Sequence, residues 1–285
     1  MEFLLSIAGG VFVAIFLLGT AIAIEQLGPV ERYSLRDRVP GLIMNIVSSI
    51  LTVGLIWPLG WLWREIGIAP AIVVPLWQWL EPLGESGFAI QVVVLIAVAD
   101  FLAYWRHRAE HAWFWRVHVV HHAPRELHAA NSIGHPLQTL FSFAFITVPL
   151  SLFQIDGPAT PFVVGSFVTL LAIYIHSPTG LHFGPLRKVV VDNRFHRIHH
   201  SLEERHFDKN FGICLSIWDH MFGTAYDPRD EWPAVGVAGV KAPQTVADFL
   251  KLPFVSTGGG GESGSCEGFS EANNSGAQKE QTLTS

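Results

Sequence analysis

Long apolar blocks constrain this chain more than any other feature, because a helix of about 20 apolar residues is long enough to cross a bilayer. Such blocks cover residues 3–24, 41–63 and 88–104, and two shorter ones cover 140–153 and 161–175. Half of the 285 residues are hydrophobic and only 15% are charged. This pattern is typical of an integral membrane protein.

The first block has two interpretations. A signal peptide would carry basic residues ahead of its apolar core, but Glu2 is the only charge before residue 3. We therefore expect a transmembrane helix over 3–24. The segment 68–80 is short and rich in proline and tryptophan, which favours an interfacial or re-entrant piece over a full crossing.

The last two apolar blocks are expected to form a helical hairpin. The connector Q-I-D-G-P-A-T-P between them is typical of a tight turn. Each block is near the lower length limit for a span, so either one could be re-entrant.

Basic residues predict the orientation. The loop after the first span holds Arg32, Arg36 and Arg38, so the positive-inside rule puts it in the cytoplasm. Counting crossings from there, every histidine cluster of the chain falls on the cytoplasmic side. The length and build of the chain suggest a bacterial inner-membrane protein.

The rest of the composition sets limits on domains and partners. We expect one membrane domain over 1–255 and a disordered tail over 256–285, which is rich in glycine and serine. A net charge of −6 without a basic stripe argues against nucleic acid. Cys214 and Cys266 stand alone, which indicates neither a disulfide framework nor a thiolate metal site.

All fourteen histidines lie between residues 107 and 220. None of the fourteen precedes His107, and eight of them form one H-x-x-x-H array and two H-x-x-H-H arrays. On a helix these spacings place the rings of each array on one face. The eight are His107, His111, His118, His121, His122, His196, His199 and His200.

So many clustered imidazoles indicate a metal site, since rings packed without a metal would be unpaired or would repel one another when protonated. His176, expected at the cytoplasmic end of the hairpin, is a ninth candidate. Nine imidazoles are too many for one ion and enough for two with open positions. Imidazole suits zinc, iron, copper and nickel. Open coordination positions on redox-capable iron would suit dioxygen activation, and the residue types alone do not exclude copper.

The other histidines carry weaker signals. His128, His182, His206 and His220 are expected to be ordinary core or surface residues. His135 precedes Pro136 and is interpreted as a structural residue or as one that orients a metal ligand.

The three arrays and their surroundings resemble the fatty acid hydroxylase / sterol desaturase superfamily. H-R-A-E-H, H-V-V-H-H and H-R-I-H-H match its three histidine boxes in order and spacing. F-D-K-N-F-G and W-D-H-M-F-G-T after the third box resemble its trailing segments. The likeness covers about residues 85–228, and His220 departs from it by standing where the family often has arginine.

The resemblance implies an all-α, multi-pass transmembrane bundle whose cytosolic helical cap, within the catalytic region 105–228, holds a histidine-rich dimetal site. It implies two non-haem irons, dioxygen as co-substrate and hydroxylation or desaturation of a lipid C–H bond. The eight box histidines would be ligands, and His176 matches an extra histidine of the family. Asp208 and Asn210 would orient ligand rings, or else cap a turn.

Several points stay open at this stage. The substrate could be a sterol, a fatty acyl chain, a carotenoid or an amino-acid lipid that enters from the bilayer. No haem or iron–sulfur motif is visible, so we expect electrons from a separate protein. The alternatives are a histidine-rich membrane protein that binds or transports metal, and an inactive relative with a structural metal.

Overall fold

The computed structural model describes residues 2–158, 161–228 and 230–255, and this part of the chain is mostly helical. The predicted disordered tail 256–285, with Cys266, lies outside the described residues. Two helices in the described part are long and apolar enough to cross a membrane: Leu35–Ile66 and Glu85–Trp113.

The N-terminal half is built from long helices. Helix α1 spans Glu2–Glu25 and α2 spans Leu35–Ile66, so both extend beyond the predicted apolar blocks. A capping box starts α2: the Ser34 side chain accepts from the Asp37 amide, and the Asp37 carboxylate accepts from the Ser34 amide. Arg38, expected in a loop, lies inside α2 and forms a buried ion pair with Glu25.

The segment after α2 forms no helix long enough to cross a membrane. It forms strand β1 (Ile72–Val74) and the short helix α3 (Leu76–Leu80), and its interfacial or re-entrant placement stays a prediction. Helix α4 then runs from Glu85 to Trp113 without a break. It therefore carries the first histidine box on a direct continuation of a membrane-capable helix.

The predicted hairpin is less regular than expected. Its first arm is α6 (Gln138–Ser142), a π-helical turn (Phe143–Thr147) and α7 (Val148–Ser151), and its second arm is α8 (Pro161–Tyr174). Between them strand β2 (Phe153–Ile155) pairs in parallel with β1. The all-α prediction is thus right for most of the described chain but missed this pair, whose three-residue strands are too short to show a period.

Several short elements are connected by hydrogen-bonded loops. They are α5 (Trp115–His122), α9 (Asn193–His199), α10 (Ile217–Phe222) and α11 (Val246–Lys251), with single 3₁₀ turns such as Ala129–Asn131 and Gly184–Lys188. The α9 helix starts where Asp192 accepts from the Phe195 amide.

Polar side chains of α2 hold the non-helical segment that follows the second box. Asn45 donates to the Ala130 carbonyl at 2.7 Å, and Ser48 donates to the Gly134 carbonyl at 2.9 Å. Free backbone groups beside a membrane helix would be costly, so these bonds let an irregular segment lie there. That segment supplies one anchor of the site.

Candidate metal centre

Four elements bring the nine predicted histidines together. Helix α4 carries His107 and His111 in its last turns, α5 carries the second box, and α9 with its C-cap carries the third. His176 follows the end of α8. Seven of the nine rings are buried, and His111 and His121 are partly exposed.

The nine side chains form two groups, each able to hold one metal ion. In each group the ligand atoms all lie within 4.8 Å of one another. The five-histidine group contains His107, His111, His118, His122 and His199, and the four-histidine group contains His121, His176, His196 and His200.

The boxes on α5 and α9 are each divided between the two groups. A helix turns about 100° per residue, so positions i and i+4 point nearly the same way, whereas i+3 points to the other side of i. His118 and His122 therefore face one group and His121 the other. The prediction of one shared face is corrected here: the spacing serves two groups at once.

Distances between ring nitrogens fit a common ion in each group. Neighbouring Nε2 atoms lie 3.0 to 3.3 Å apart, as in His107–His118 at 3.0 Å and His176–His121 at 3.3 Å. With nitrogen–metal distances of about 2.1 Å, adjacent ligands of a tetrahedral or octahedral shell are separated by about 3.0 to 3.4 Å.

The backbone contacts of the Nδ1 atoms indicate that some of the Nε2–Nε2 contacts are not hydrogen bonds. His121 Nδ1 lies 2.9 Å from the Ile133 carbonyl, and His176 Nδ1 lies 2.7 Å from the Ala172 carbonyl. A carbonyl only accepts, so each Nδ1 carries the proton and each neutral ring has a lone pair at Nε2. Two lone pairs then face each other at 3.3 Å, an arrangement that a cation between them stabilises.

Burial keeps the rings in the form that binds metal. It lowers the pKa of His121 to about 4 and holds the pKa values of His196 and His200 well below the usual range, with neighbouring rings adding to the effect. Neutral imidazole is the ligand form, so the donor set fits two imidazole-binding ions at neutral pH. Imidazole donors suit iron, as well as zinc, copper and nickel.

A four-residue loop, residues 208–211, anchors three rings of the five-histidine group. The Lys209 carbonyl accepts from His199 at 2.8 Å, and the Phe211 carbonyl accepts from His107 at 2.8 Å. The Asp208 carboxylate lies 3.4 Å from His111 Nδ1, and this contact lowers the pKa of Asp208. Each bond fixes a tautomer and a ring orientation.

The loop can do this because of its backbone. Asp208 and Asn210 have φ of 56° and 59°, the left-handed region that asparagine and aspartate tolerate best. The two positive φ values bracket Lys209, whose carbonyl accepts from His199, and come just before Phe211, whose carbonyl accepts from His107. The Asn210 side chain braces the loop through the Phe195 carbonyl and through both backbone groups of Tyr226.

Sequence reasoning missed three residues that support the metal centre, namely Glu110, Gln138 and Asp219. Glu110 is fully buried and lies 3.0 Å from His118 Nδ1, beside Gln138. Asp219 accepts from the amides of Phe211 and Gly212 and from Thr224. Charged residues inside the first box and inside W-D-H-M-F-G-T were the available signals, since buried carboxylates need partners.

His135 lies elsewhere. Its Nδ1 accepts from the Leu137 amide and its Nε2 lies 3.4 Å from the Leu250 carbonyl in α11. These contacts tie down a C-terminal helix, so they support the structural interpretation of His135 and not a role in orienting a ligand. His128, His182 and His220 belong to neither group. His206 also lies outside both, but with Glu203 and Glu231 it forms a third set whose potential ligand atoms all lie within 4.8 Å of one another, which the sequence did not predict.

The fold and site together define a mostly helical domain with membrane-capable helices and three histidine boxes that form two potential metal sites, and sequence comparison supports this class. Residues 92–224 match the pattern that defines the fatty acid hydroxylase family. This stretch, a little under half of the chain, is a fatty acid hydroxylase domain.

Named relatives modify lipids. The chain is 33% identical to the ornithine lipid hydroxylase OlsE of Rhizobium tropici over 58% of its own length and 51% of that protein. It is 30% identical to the alkylglycerol monooxygenase of Homo sapiens over 54% of its own length and 34% of that protein. A very-long-chain aldehyde decarbonylase of rice is 24% identical over 56% of this chain and 26% of that protein.

The chain thus spans about half of the bacterial relative and about a third of the human one. No solved structure is significantly similar to it.

Proposed function

We propose that this protein is a membrane-bound di-iron oxygenase that hydroxylates or desaturates a C–H bond of a lipid, using dioxygen and electrons from a separate donor protein. The observation that carries the proposal is the pair of histidine groups with inward-facing Nε2 atoms. All nine histidines are assigned as ligands, five to one ion and four to the other. When bound, two irons would supply the redox chemistry that dioxygen activation needs.

The protein side chains and backbone would hold the two ions, orient the ligand rings and shield the site from water. Backbone carbonyls fix the Nδ1 protons of His107, His121, His176 and His199, which directs each Nε2 lone pair inward. Buried side chains around both groups limit water, which would otherwise compete for open positions. We assign positioning roles to Asp208 and Asn210, through the loop they shape.

The topology belongs to the proposal as well. We infer a multi-pass bundle of α1, α2, α4 and the α6–α8 hairpin, with both histidine groups in a cap on the cytoplasmic side of a bacterial inner membrane. The two membrane-capable helices and the basic residues near Arg32 support this arrangement. The whole of 1–255 would then act as one membrane domain.

The relatives narrow the substrate class. Two of them are named for ornithine lipid and for alkylglycerol, so we propose a lipid with a polar head group that enters from the bilayer. Simple metal transport is not favoured, because the named relatives modify lipids. The rice relative is named as a decarbonylase, so the reaction itself needs a direct test.

Lipid mass spectrometry provides this test. A bacterial host expressing the intact protein should accumulate a lipid heavier by one oxygen atom, or lighter by two hydrogens. The same host expressing His199→Ala should not. His182→Ala is the matched control, since His182 is exposed and lies outside both groups, and it should retain the product.

An unchanged lipid profile for intact protein that carries both irons and is supplied with a reducing system would contradict the proposal. Product formation by His199→Ala would contradict the assigned site.

A further inference from the structure

A surface of exposed apolar side chains surrounds α10, and all of its members except Trp105 of α4 lie outside the membrane-capable helices. We call it the α10 surface. Its members are each between 37% and 63% exposed. They are Trp105, Leu186, Val189, Ile217, Met221 and Phe222.

These side chains come from three chain segments that are bonded together. The Ser216 amide donates to the Val189 carbonyl at 3.0 Å, and the Ser216 hydroxyl donates to the Arg187 carbonyl at 2.6 Å. Val190 and Leu215 form a β-bridge. The 184–190 segment and α10 therefore form one continuous surface.

Hydrogen bonds attach the α10 surface to the membrane-capable helix α4 at Asp100. Asp100 of α4 accepts from the amides of Cys214 and Leu215 at 2.9 and 2.8 Å and from the Trp218 indole at 3.1 Å. The Phe101 ring packs on Trp218 at 5.2 Å. These contacts place α10 beside the end of the apolar stretch 88–104 of α4.

The outward positions of α10 are mostly apolar, with one polar group among them. Ile217 and Met221 are one turn apart and point outward, and exposed His220 lies between them. Lys188 is exposed at the neighbouring edge. Water-exposed apolar area of this kind is costly, whereas aromatic and apolar side chains with a polar edge suit the boundary between lipid head groups and acyl chains.

From this arrangement we propose that the α10 surface lies in the membrane interface, in contact with lipid. The occupant is the bilayer because the surface continues directly from Phe101 and Trp105 of a helix long enough to cross it. The proposal rests on the part of the proposed function in which α4 spans the membrane. The cap would then rest on the bilayer through α10 and the 184–190 segment.

Fluorescence quenching tests the location without an activity readout. Single cysteines carrying a bimane label are placed at Met221, at Val98 on the exposed side of α4, and at Ala238, which is exposed on a different segment. The background is Cys214→Ala, Cys266→Ser, and the metal-loaded protein is reconstituted in phosphatidylcholine vesicles. Brominated lipid reports lipid contact and iodide reports water contact.

Labels at Met221 and Val98 should be quenched severalfold more by brominated lipid than the label at Ala238, and iodide should show the reverse order. Iodide quenching at Met221 equal to that at Ala238, with Val98 still lipid-quenched, would overturn the α10 surface proposal alone. Iodide quenching at Val98 would overturn the membrane-spanning α4 as well. Protection of Met221 from both quenchers, with cross-linked dimers, would show that a second copy of the chain covers the surface and would also overturn it.

Discussion

Asn210→Ala tests the idea that the 208–211 loop orients the rings of the five-histidine group. Asn210 is fully buried, and its amide makes three hydrogen bonds of 2.8 to 2.9 Å, to the Phe195 carbonyl and to the Tyr226 carbonyl and amide. Alanine removes all three. It must also adopt a φ of 59°, which a residue with a plain Cβ rarely does.

The expected destabilisation follows from these two losses. Each hydrogen bond contributes about 1 kcal/mol net, and the left-handed conformation costs alanine about 1 to 2 kcal/mol. The free energy of unfolding should therefore fall by about 4 kcal/mol. Because the loop carbonyls orient His107 and His199, metal affinity of the five-histidine group should also fall by about 10- to 100-fold.

Two measurements on detergent-solubilised protein check this: bound iron per chain by mass spectrometry, and unfolding followed by circular dichroism. Asn210→Gly is the matched control, since glycine adopts the positive φ freely and loses only the hydrogen bonds. It should be more stable than Asn210→Ala by about 1 kcal/mol. The four-histidine group, which the loop does not anchor, should keep its iron in both variants.

Two results would refute this reasoning. One is an Asn210→Ala protein that binds two irons with unchanged affinity and unfolds like the parent. The other is equal loss of iron from both groups, which would show general misfolding in place of a local effect on His107 and His199.

Three further predictions concern the division of the boxes and the packing. A double variant with His121→Ala and His196→Ala should keep one metal per chain, because both residues belong to the four-histidine group. A double variant with His121→Ala and His118→Ala should lose both metals, because it removes one ligand from each group. Equal metal contents in the two double variants would contradict the grouping. Gly41→Ala places a Cβ against the Ala130 carbonyl and should cost about 1 to 3 kcal/mol in thermal unfolding, whereas Gly54→Ala, with open space around it, should be tolerated. Arg197→Lys loses the bidentate contact with Glu31 and the bond to the Pro233 carbonyl, so it should destabilise the protein by about 1 to 3 kcal/mol. Arg205→Lys changes an exposed ion-pair network and should cost less stability. The same thermal unfolding assay compares the two variants.

The membrane-capable helices and the histidine boxes were readable from the sequence for simple reasons. An apolar block of sufficient length predicts a helix wherever it lies, as in α2 and α4. The i, i+3 and i+4 spacing likewise predicts neighbouring rings on α5 and α9. Such local regularities need no knowledge of distant contacts.

Other features could not be predicted from the sequence, because they depend on contacts between distant parts of the chain. The parallel pairing of β1 and β2 joins segments about eighty residues apart. The Glu110 and Asp219 carboxylates acquire their partners only after folding. The role of His135 was ambiguous for the same reason, since its partner in α11 lies 115 residues away.

The sequence alone determined that apolar helices would accompany a set of clustered imidazoles, because both depend on residue type and short spacing. Only the tertiary structure decided which ring belongs to which group. His199 joins the five-histidine group and its neighbour His200 joins the four-histidine group because α5 and α9 face each other across the centre. That division depends on helix placement and on carbonyls such as those of Ile133 and Phe211, which come near the rings only in the folded chain.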